Sequence, residues 1–304
     1  MILADAGRPQ AAPAGGEPHR VYLGTVAMIH ERRHALARHG AALAGLAIAV
    51  VAFAGAARAA DPAAATAVPQ QDPAARALLL DMANFLARAP AMRVTMRSGY
   101  DAIQADGERI EFGERRQILM QRPDKLRVEV ERSDGERGTV VFDGRWITAF
   151  KPADNVYARV ERAGTLDDAL VYMVRDLQAT LPLARLFTTG FPADLDRRAA
   201  SVALVEECGL FDVPTTHLAV RSAEVDLQLW IAKGAEPLPR RVVITYKNAP
   251  GQPQFRADLY DWSVAPKVDA AAFAFVPPAG AEQVMYLAPR QPSGVPAAPT
   301  GEQR

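Results

Sequence analysis

The residue types that most often perform catalysis are scarce in the later part of this 304-residue chain. Four of its five histidines lie within the first 39 residues, which leaves His217 beyond them, and Cys208 is the one cysteine. A zinc site or a nucleophile with its base needs several such side chains together. We therefore expect no metal site, no cofactor and no intrachain disulfide, and we expect His217 to be structural.

Carboxylates offer the remaining route to catalysis. Asp124, Glu129 and Glu131 lie on a segment where charged and apolar residues alternate. A paired-carboxylate hydrolase is conceivable, but nothing in the spacing selects a pair. The simpler interpretation is a solvated strand face, and pairs such as Arg115-Arg116 are expected on solvated faces too. The chain also lacks G-x-S-x-G, a P-loop and a G-x-G-x-x-G after a strand. These features predict a protein that is not an enzyme.

The N-terminal segment predicts export. Residues 41–54 form an apolar run that follows several arginines and precedes Ala57-Arg58-Ala59. This is the order of a secretory signal peptide. A spanning helix needs about 20 apolar residues, so we expect cleavage near Ala59 and a periplasmic protein. An uncleaved anchor in the inner membrane is the alternative.

Composition divides the chain into one domain with flanking segments. Residues 61–304 contain 29 Lys and Arg against 32 Asp and Glu, a slight acidic excess that argues against nucleic acid as a partner. We expect the protein to be a monomer. We also expect translation to begin at Met28, which gives the signal peptide an ordinary charged N-terminal region. The predicted parts are an N-terminal extension and signal peptide (1–59), a linker (60–71), a folded domain (72–288) and a disordered tail (289–304).

Two helices are predicted among many short strands. Asp72-Pro73 is typical of a helix start, and Pro90 ends that helix. Thr165 with acidic residues after it starts a second helix, whose apolar stripe runs to Leu181, before a turn at 183–187. Gly, Pro and Asp-Gly separate the strand-like segments by short turns, a pattern that predicts an antiparallel meander. The expected strands are 93–100, 108–121, 125–132, 138–142, 146–150, 156–160, 200–206, 215–221, 225–232, 240–246 and 255–264.

Three blocks of residues resemble the periplasmic lipoprotein-localisation factors of the LolA/LolB type. The blocks are the strand opener Arg122-Pro123, an Asp-Gly hairpin leading to an aromatic and Pro (Asp143, Gly144, Phe150, Pro152), and the C-terminal pattern Phe273, Phe275, Pro277, Pro278, Gly280. More closely, the chain resembles an uncharacterised branch of predicted periplasmic proteins of that superfamily, on the block from Leu229 to Lys247.

The resemblance implies an α+β fold. We expect a curved antiparallel sheet of about 11 strands, forming an open half-barrel closed by amphipathic lid helices. It also implies a carrier or binding protein for lipid or lipoprotein acyl chains, and an inner- or outer-membrane protein is a further candidate partner. A non-catalytic sensor that recognises envelope proteins is the alternative, and the sequence departs from the carriers enough to leave the cargo open.

Site residues follow from the resemblance and from strand phase. Arg122 matches the Arg that holds the lid helices over the empty cavity in the resembling carriers. We expect its partners on the helix 166–181 or the turn 183–187, and capping of its strand in solvent is the alternative. Phase alone predicts that the cavity is lined by Leu126, Val128, Val130, Phe142, Trp146, Phe150, Leu170, Met173 and Leu177.

Overall fold

The computed structural model describes residues 72–104, 106–177 and 179–285. The predicted segments 1–59 and 289–304, and the linker up to Gln71, lie outside these residues. Three helices are described: α1 Pro73–Arg88, α2 Leu166–Arg175 and α3 Phe191–Arg198. The strands are β1 Ala91–Ile103, β2 Arg109–Gln121, β3 Lys125–Arg132, β4 Arg137–Phe142, β5 Trp146–Lys151, β6 Val156–Glu161, β7 Ser201–Cys208, β8 Thr215–Arg221, β9 Val225–Ala232, β10 Pro239–Tyr246, β11 Gln254–Val264 and β12 Glu282–Val284.

The strands form one open sheet made of two meanders. Consecutive strands pair from β1 through β6 and from β7 through β11, and β1 pairs with β11 at the centre. Every one of these pairs is antiparallel. The order ends at β12 on one side and β7 on the other, so the curved sheet does not close. The predicted open half-barrel is confirmed.

The strand count differs slightly from the expected one. The described sheet contains 12 strands, and the additional strand β12 pairs in parallel with β6. This strand has three residues, Glu282 to Val284, and its side chains are not buried. So short a segment carries no alternation of apolar and polar residues from which a strand could be predicted.

Helix α1 begins where its sequence predicts. The side chain of Asp72 accepts hydrogen bonds from the backbone N–H groups of Ala74 and Ala75, and Pro73 occupies the first turn. Leu79, Met82 and Leu86 are fully buried on one side of the helix. This face packs into the same apolar cluster as the inner face of the sheet.

The segment 165–198, here called the cap, covers the rest of that inner face. It contains α2, a 3-10 turn at Ala184–Phe187 and α3. Thr165 and Asp168 form the capping box that starts α2, as predicted. The helix ends at Arg175, so the expected continuation to Leu181 was wrong. There the chain turns away, since Ala179 N–H donates to the carbonyl oxygen of Met173.

Helix α3 was not predicted from the sequence. It has eight residues and buries only Phe191 and Leu195. Two apolar residues four positions apart are a weak periodic signal. The helix is held by its tertiary contacts, which include Arg76 of α1 donating to the Asp196 carboxylate at 2.7 Å.

The outer face of the sheet is partly covered by a C-terminal strap, residues 265–285. The Arg127 guanidinium, on the outer side of β3, donates to the carbonyl oxygen of Ala272. Phe273 is 1% exposed in the strap. The third block of the family resemblance is therefore a covering segment for the outer face. Among the described residues, no helix has the length and apolar character needed to cross a membrane.

Candidate functional site

Arg122 connects the sheet to the cap. It follows the last residue of β2, and its side chain is 15% exposed. Its Nη2 donates to the carbonyl oxygen of Phe187 at 2.9 Å, and its Nε donates to the carbonyl oxygen of Ala89 at 3.2 Å. Its Nη1 lies 3.5 Å from Oδ1 of Asp167 in α2. One guanidinium thus contacts the end of α1, the first turn of α2 and the 3-10 turn of the cap.

The electrostatics of this contact are those of a partly buried cation. Burial lowers the pKa of the Arg122 guanidinium, and the Asp167 carboxylate opposes that shift. Asp167 is itself held in place, because Oδ2 accepts from the backbone N–H of Thr189 at 2.9 Å and also from the Thr189 hydroxyl. Arg122 and Thr189 therefore share Asp167 as a partner, which ties the start of α2 and the segment after the 3-10 turn to the sheet.

Seven of the nine residues expected to line a cavity lie on the inner face. Leu126, Val128 and Phe142 of the strands belong to the inner apolar cluster, and Val130 packs against it. Leu170, Met173 and Leu177 of the cap belong to the same cluster. The sheet and the cap therefore present their apolar residues to each other, and whether these residues contact cargo stays a prediction.

Trp146 and Phe150 lie on the opposite face, so their assignment to the cavity was wrong. Four residues separate the paired residues Phe142 and Ile147. The β5 residues on the same side as Phe142 are therefore the odd-numbered ones, and Ile147 and Ala149 belong to the inner cluster. On the outer face, the guanidinium carbon of Arg159 lies 4.5 Å from the centre of the Trp146 ring.

The interior between the sheet and the cap is packed. Six of the seven inner residues, all except Val130, are each at most 5% exposed. A cavity of about 20 Å³ remains, enough for about one water molecule. Sites that bind small molecules commonly measure about 300–1,000 Å³. The cavity is lined by Leu183, Arg185, Leu186, Phe191, Leu195, Leu227, Leu229 and Val242. The side chains of the cap therefore fill most of the space between the cap and the sheet.

One arginine was placed on the wrong face by sequence reasoning. Arg115 and Arg116 were both expected on a solvated face, but the Arg116 side chain is only 7% exposed. It lies on the inner side of β2, where it pairs with Glu114 at 2.7 Å. Strict alternation along β2, with Ile118 and Met120 buried, is the signal that could have placed Arg116 inside.

His217 lies in a packed position on the outer face. Its ring stacks on Trp230 with centroids 3.9 Å apart, and Nε2 lies 3.2 Å from Oε1 of Gln228. No group of three or more His, Cys, Asp and Glu residues in the described part of the chain is arranged to hold a metal ion. These contacts hold the His217 ring between Trp230 and Gln228 on neighbouring β9.

Several solved structures are similar to this chain. The structure of LprF from Mycobacterium bovis is 10% identical with a TM-score of 0.42, over 65% of this chain and 96% of that one. The LolA superfamily protein NE2245 from Nitrosomonas europaea is 13% identical with a TM-score of 0.33, over 66% and 97% of the two chains. The Pseudomonas aeruginosa MucA/MucB complex is 16% identical with a TM-score of 0.37, over 67% of this chain and 61% of that one.

The family of the chain follows from its sequence. No curated protein matches it. Residues 75–287, which span every described element except the first residues of α1, match the family model described as "Predicted periplasmic protein (DUF2092)". The chain belongs to this family of predicted periplasmic proteins, whose compartment is the one predicted from the N-terminal segment.

Proposed function

We propose that the protein is a periplasmic carrier or binding protein for lipid or lipid-modified cargo, without catalytic activity. The observation that supports this is the apolar face of the cap lying on an apolar inner sheet, fastened at its edge by the hydrogen bonds of Arg122. Opening of such a cap breaks these hydrogen bonds and exposes the apolar face of the cap and of the sheet. The inner sheet face that it uncovers is mostly apolar.

The packed interior makes this the empty, closed state. Opening exposes cap residues such as Leu170, Met173 and Phe187, which are buried here. Burial of each methylene contributes about 0.8 kcal/mol, so acyl chains can offset that exposure by taking the place of the cap's side chains. In this role Arg122 is the gate, because its contacts with Phe187 and Asp167 exist only while the cap is closed.

Lipid extraction and mass spectrometry of protein purified from a periplasmic fraction test the proposal. We expect acyl lipid to co-purify in a fixed ratio to the protein, and an Arg122→Leu variant to release it differently from wild type. Arg127→Leu is the matched control, since Arg127 pairs with Glu129 on the outer face. The proposal is overturned if no lipid co-purifies or binds in vitro and the interior stays packed.

A second candidate function is an interaction module that recognises an envelope protein. The edge strand β7 favours it, because Leu204 and Val205 are 49% and 51% exposed there and Leu210, just beyond, is 93% exposed. An open strand edge can pair with an extended segment of another chain. A photocrosslinker at Val205, compared with one at exposed Arg88 of α1, tests this. A Val205-specific protein adduct from a preparation free of lipid would favour the module over the carrier.

A further inference from the structure

A row of charged side chains crosses the inner face of the sheet beside the apolar cluster. Glu114 and Arg116 of β2 are each 7% exposed and pair at 2.7 Å. Arg132 and Glu136 pair at 3.0 Å and are 20% and 18% exposed. Lys151 of β5 continues the row, with its Nζ 3.1 Å from Glu136. These five side chains, here called the ionic row, comprise three cations and two carboxylates.

The register places the ionic row on the inner face. Arg116 pairs across the sheet with Met96 and Val130, both of which contact the inner cluster. In the strand register, Glu114 lies opposite Arg132 of β3 and opposite Ser98 of β1, which is also buried. The row therefore runs from a buried end at Arg116 to Lys151, which is 21% exposed and lies 2.8 Å from the exposed carboxylate of Asp154.

Apolar surface lies on both sides of the ionic row. On the capped side are Met96, Ile118 and Val128. On the uncapped side Tyr100 and Phe112 stack with ring centroids 5.9 Å apart, and Phe112 is 42% exposed. Ile110, two residues before Phe112 on the same strand face, is 37% exposed. A polar row between two apolar surfaces matches an amphiphile, which has one charged group and one long apolar chain.

Folding alone does not account for the row. Removing two charges from water costs several kcal/mol per ion, and well-packed apolar residues commonly stabilise a fold as well as a buried ion pair does. Burial is the main influence on Arg132 and lowers the pKa of its guanidinium, although Glu136 and Glu114 oppose the shift. Arg132 is a desolvated cation that an additional anion would stabilise further.

The buried end of the row also contacts the cap. Nη2 of Arg116 donates to the carbonyl oxygen of Thr180 at 3.1 Å, in the segment between α2 and the 3-10 turn. An anionic group that bound Arg116 would compete with this carbonyl oxygen. Arg116 therefore links the ionic row to the cap at a second point, distinct from Arg122.

We infer that the ionic row binds the anionic headgroup of an amphiphilic cargo, with Arg132 as the first contact and Arg116 as the second. The acyl chain then lies on Phe112 and Ile110 while the cap is closed, and enters beneath the cap when Thr180 is released. This assignment rests on the proposed function and names the class of its cargo as an anionic lipid.

Two amphiphilic probes that share the same hydrocarbon chain test the assignment. Oleate carries a carboxylate and oleyl alcohol does not, so binding of each below its aggregation concentration separates the headgroup from the chain. For Arg132→Gln we expect oleate to bind about tenfold more weakly, the size expected for one charge-assisted contact, and oleyl alcohol to bind as it does to wild type. Arg115→Gln is the matched control, because Arg115 lies on the outer face of the neighbouring strand β2 and pairs there with Glu131.

A variant that is expected to strengthen binding distinguishes a change at the site from a loss of folding, because an unfolded protein would not bind more tightly. Glu136→Gln removes the carboxylate that competes for Arg132, so we expect oleate to bind more tightly and oleyl alcohol to be unaffected. Equal effects on the two probes, or no effect on either, would overturn the headgroup site while leaving the carrier intact. If neither probe binds wild-type protein, the carrier itself fails. Inorganic phosphate that binds as tightly as oleate would assign the row to a free anion and overturn the lipid assignment.

Discussion

The rings of Phe150 and Phe275 lie 5.6 Å apart on the outer face of the sheet. These residues come from β5 and from the C-terminal strap, so a contact across 125 positions of sequence holds the strap in place. Tyr157 of β6 completes the contact, with its ring 5.4 Å from that of Phe275. Two of the blocks on which the family resemblance rests thus meet each other on the side of the sheet away from the cap.

Phe273→Ala is expected to destabilise the protein by about 3–4 kcal/mol, because the side chain is 1% exposed and its removal leaves a cavity beneath the strap. Urea denaturation followed by tryptophan fluorescence measures this. Val276→Ala is the control, since Val276 is 80% exposed in the same segment and should change stability by less than about 0.5 kcal/mol. Equal losses for the two variants would show that the strap is not packed as described.

Arg122→Leu is expected to loosen the cap. The substitution removes hydrogen bonds to two backbone carbonyl oxygens and leaves the Asp167 carboxylate without its ion pair, a cost of about 2 kcal/mol. Hydrogen exchange should accelerate in residues 165–198 more than in β9 and β10. Arg122→Lys should not restore protection, because one ammonium cannot reproduce the fork of the guanidinium.

The control for this experiment is Arg127→Leu, which removes an outer-face guanidinium paired with Glu129. Its hydrogen exchange in residues 165–198 should match that of wild type. Uniform acceleration across the sheet and the cap in Arg122→Leu would contradict a local fastening role.

Much of the fold could be predicted because local signals agree with tertiary packing. The capping box of Thr165 and the alternation of β9, where Val225, Leu227, Leu229 and Ile231 face the core, are visible in the sequence and present in the structure. The inward-facing residues of a strand were harder to predict where the strand is apolar on both sides. In β5, Trp146, Ile147, Ala149 and Phe150 give no alternation, so only the length of the preceding turn fixes which residues face inward.

The candidate site was predicted in part for the same reason. Two of the three partners of Arg122, Asp167 and Phe187, lie on α2 and the 3-10 turn, the elements on which partners were expected, whereas the third, Ala89 at the end of α1, was not predicted. The ionic row was missed, since each of its charges is ordinary in sequence. Arg116, Arg132 and Lys151 come together only when β2, β3 and β5 are placed in register.

Asp101→Asn is expected to cost about 3 kcal/mol at pH 7, because Asp101 is 4% exposed and its carboxylate pairs with Arg256 at 2.9 Å. Burial raises the pKa of Asp101, but hydrogen bonds from Arg256 and from the backbone N–H of Gln254, with the charges of Arg256 and Arg109, outweigh burial and hold the pKa below its usual value. A carboxyl with a depressed folded-state pKa stabilises the fold above its unfolded pKa of about 3.9.

The stability difference between wild type and Asp101→Asn should therefore be constant above about pH 5 and shrink as the pH falls through the folded-state pKa of Asp101. Denaturation series from pH 7 to pH 3 measure it. Glu111→Gln is the control, because Glu111 contacts the same Arg256 but is 60% exposed, and its loss should cost less than about 1 kcal/mol. A difference that grew on acidification would contradict the depressed pKa.

Ile147→Ala and Trp146→Ala test the two faces of β5 at adjacent positions. Ile147 is fully buried in the inner cluster beside Phe142, so its truncation should cost about 2–4 kcal/mol. Trp146 is half-buried on the outer face, where Arg159 and Arg145 stack on its ring, so the larger truncation should cost only about 1 kcal/mol. Ile147→Ala should also accelerate hydrogen exchange in α2, because the cap rests on the inner face, while Trp146→Ala should leave α2 unchanged. If the larger loss and the α2 response belonged to Trp146, the register of the β4–β5 hairpin would be shifted by one residue, and every face assignment that depends on it would invert.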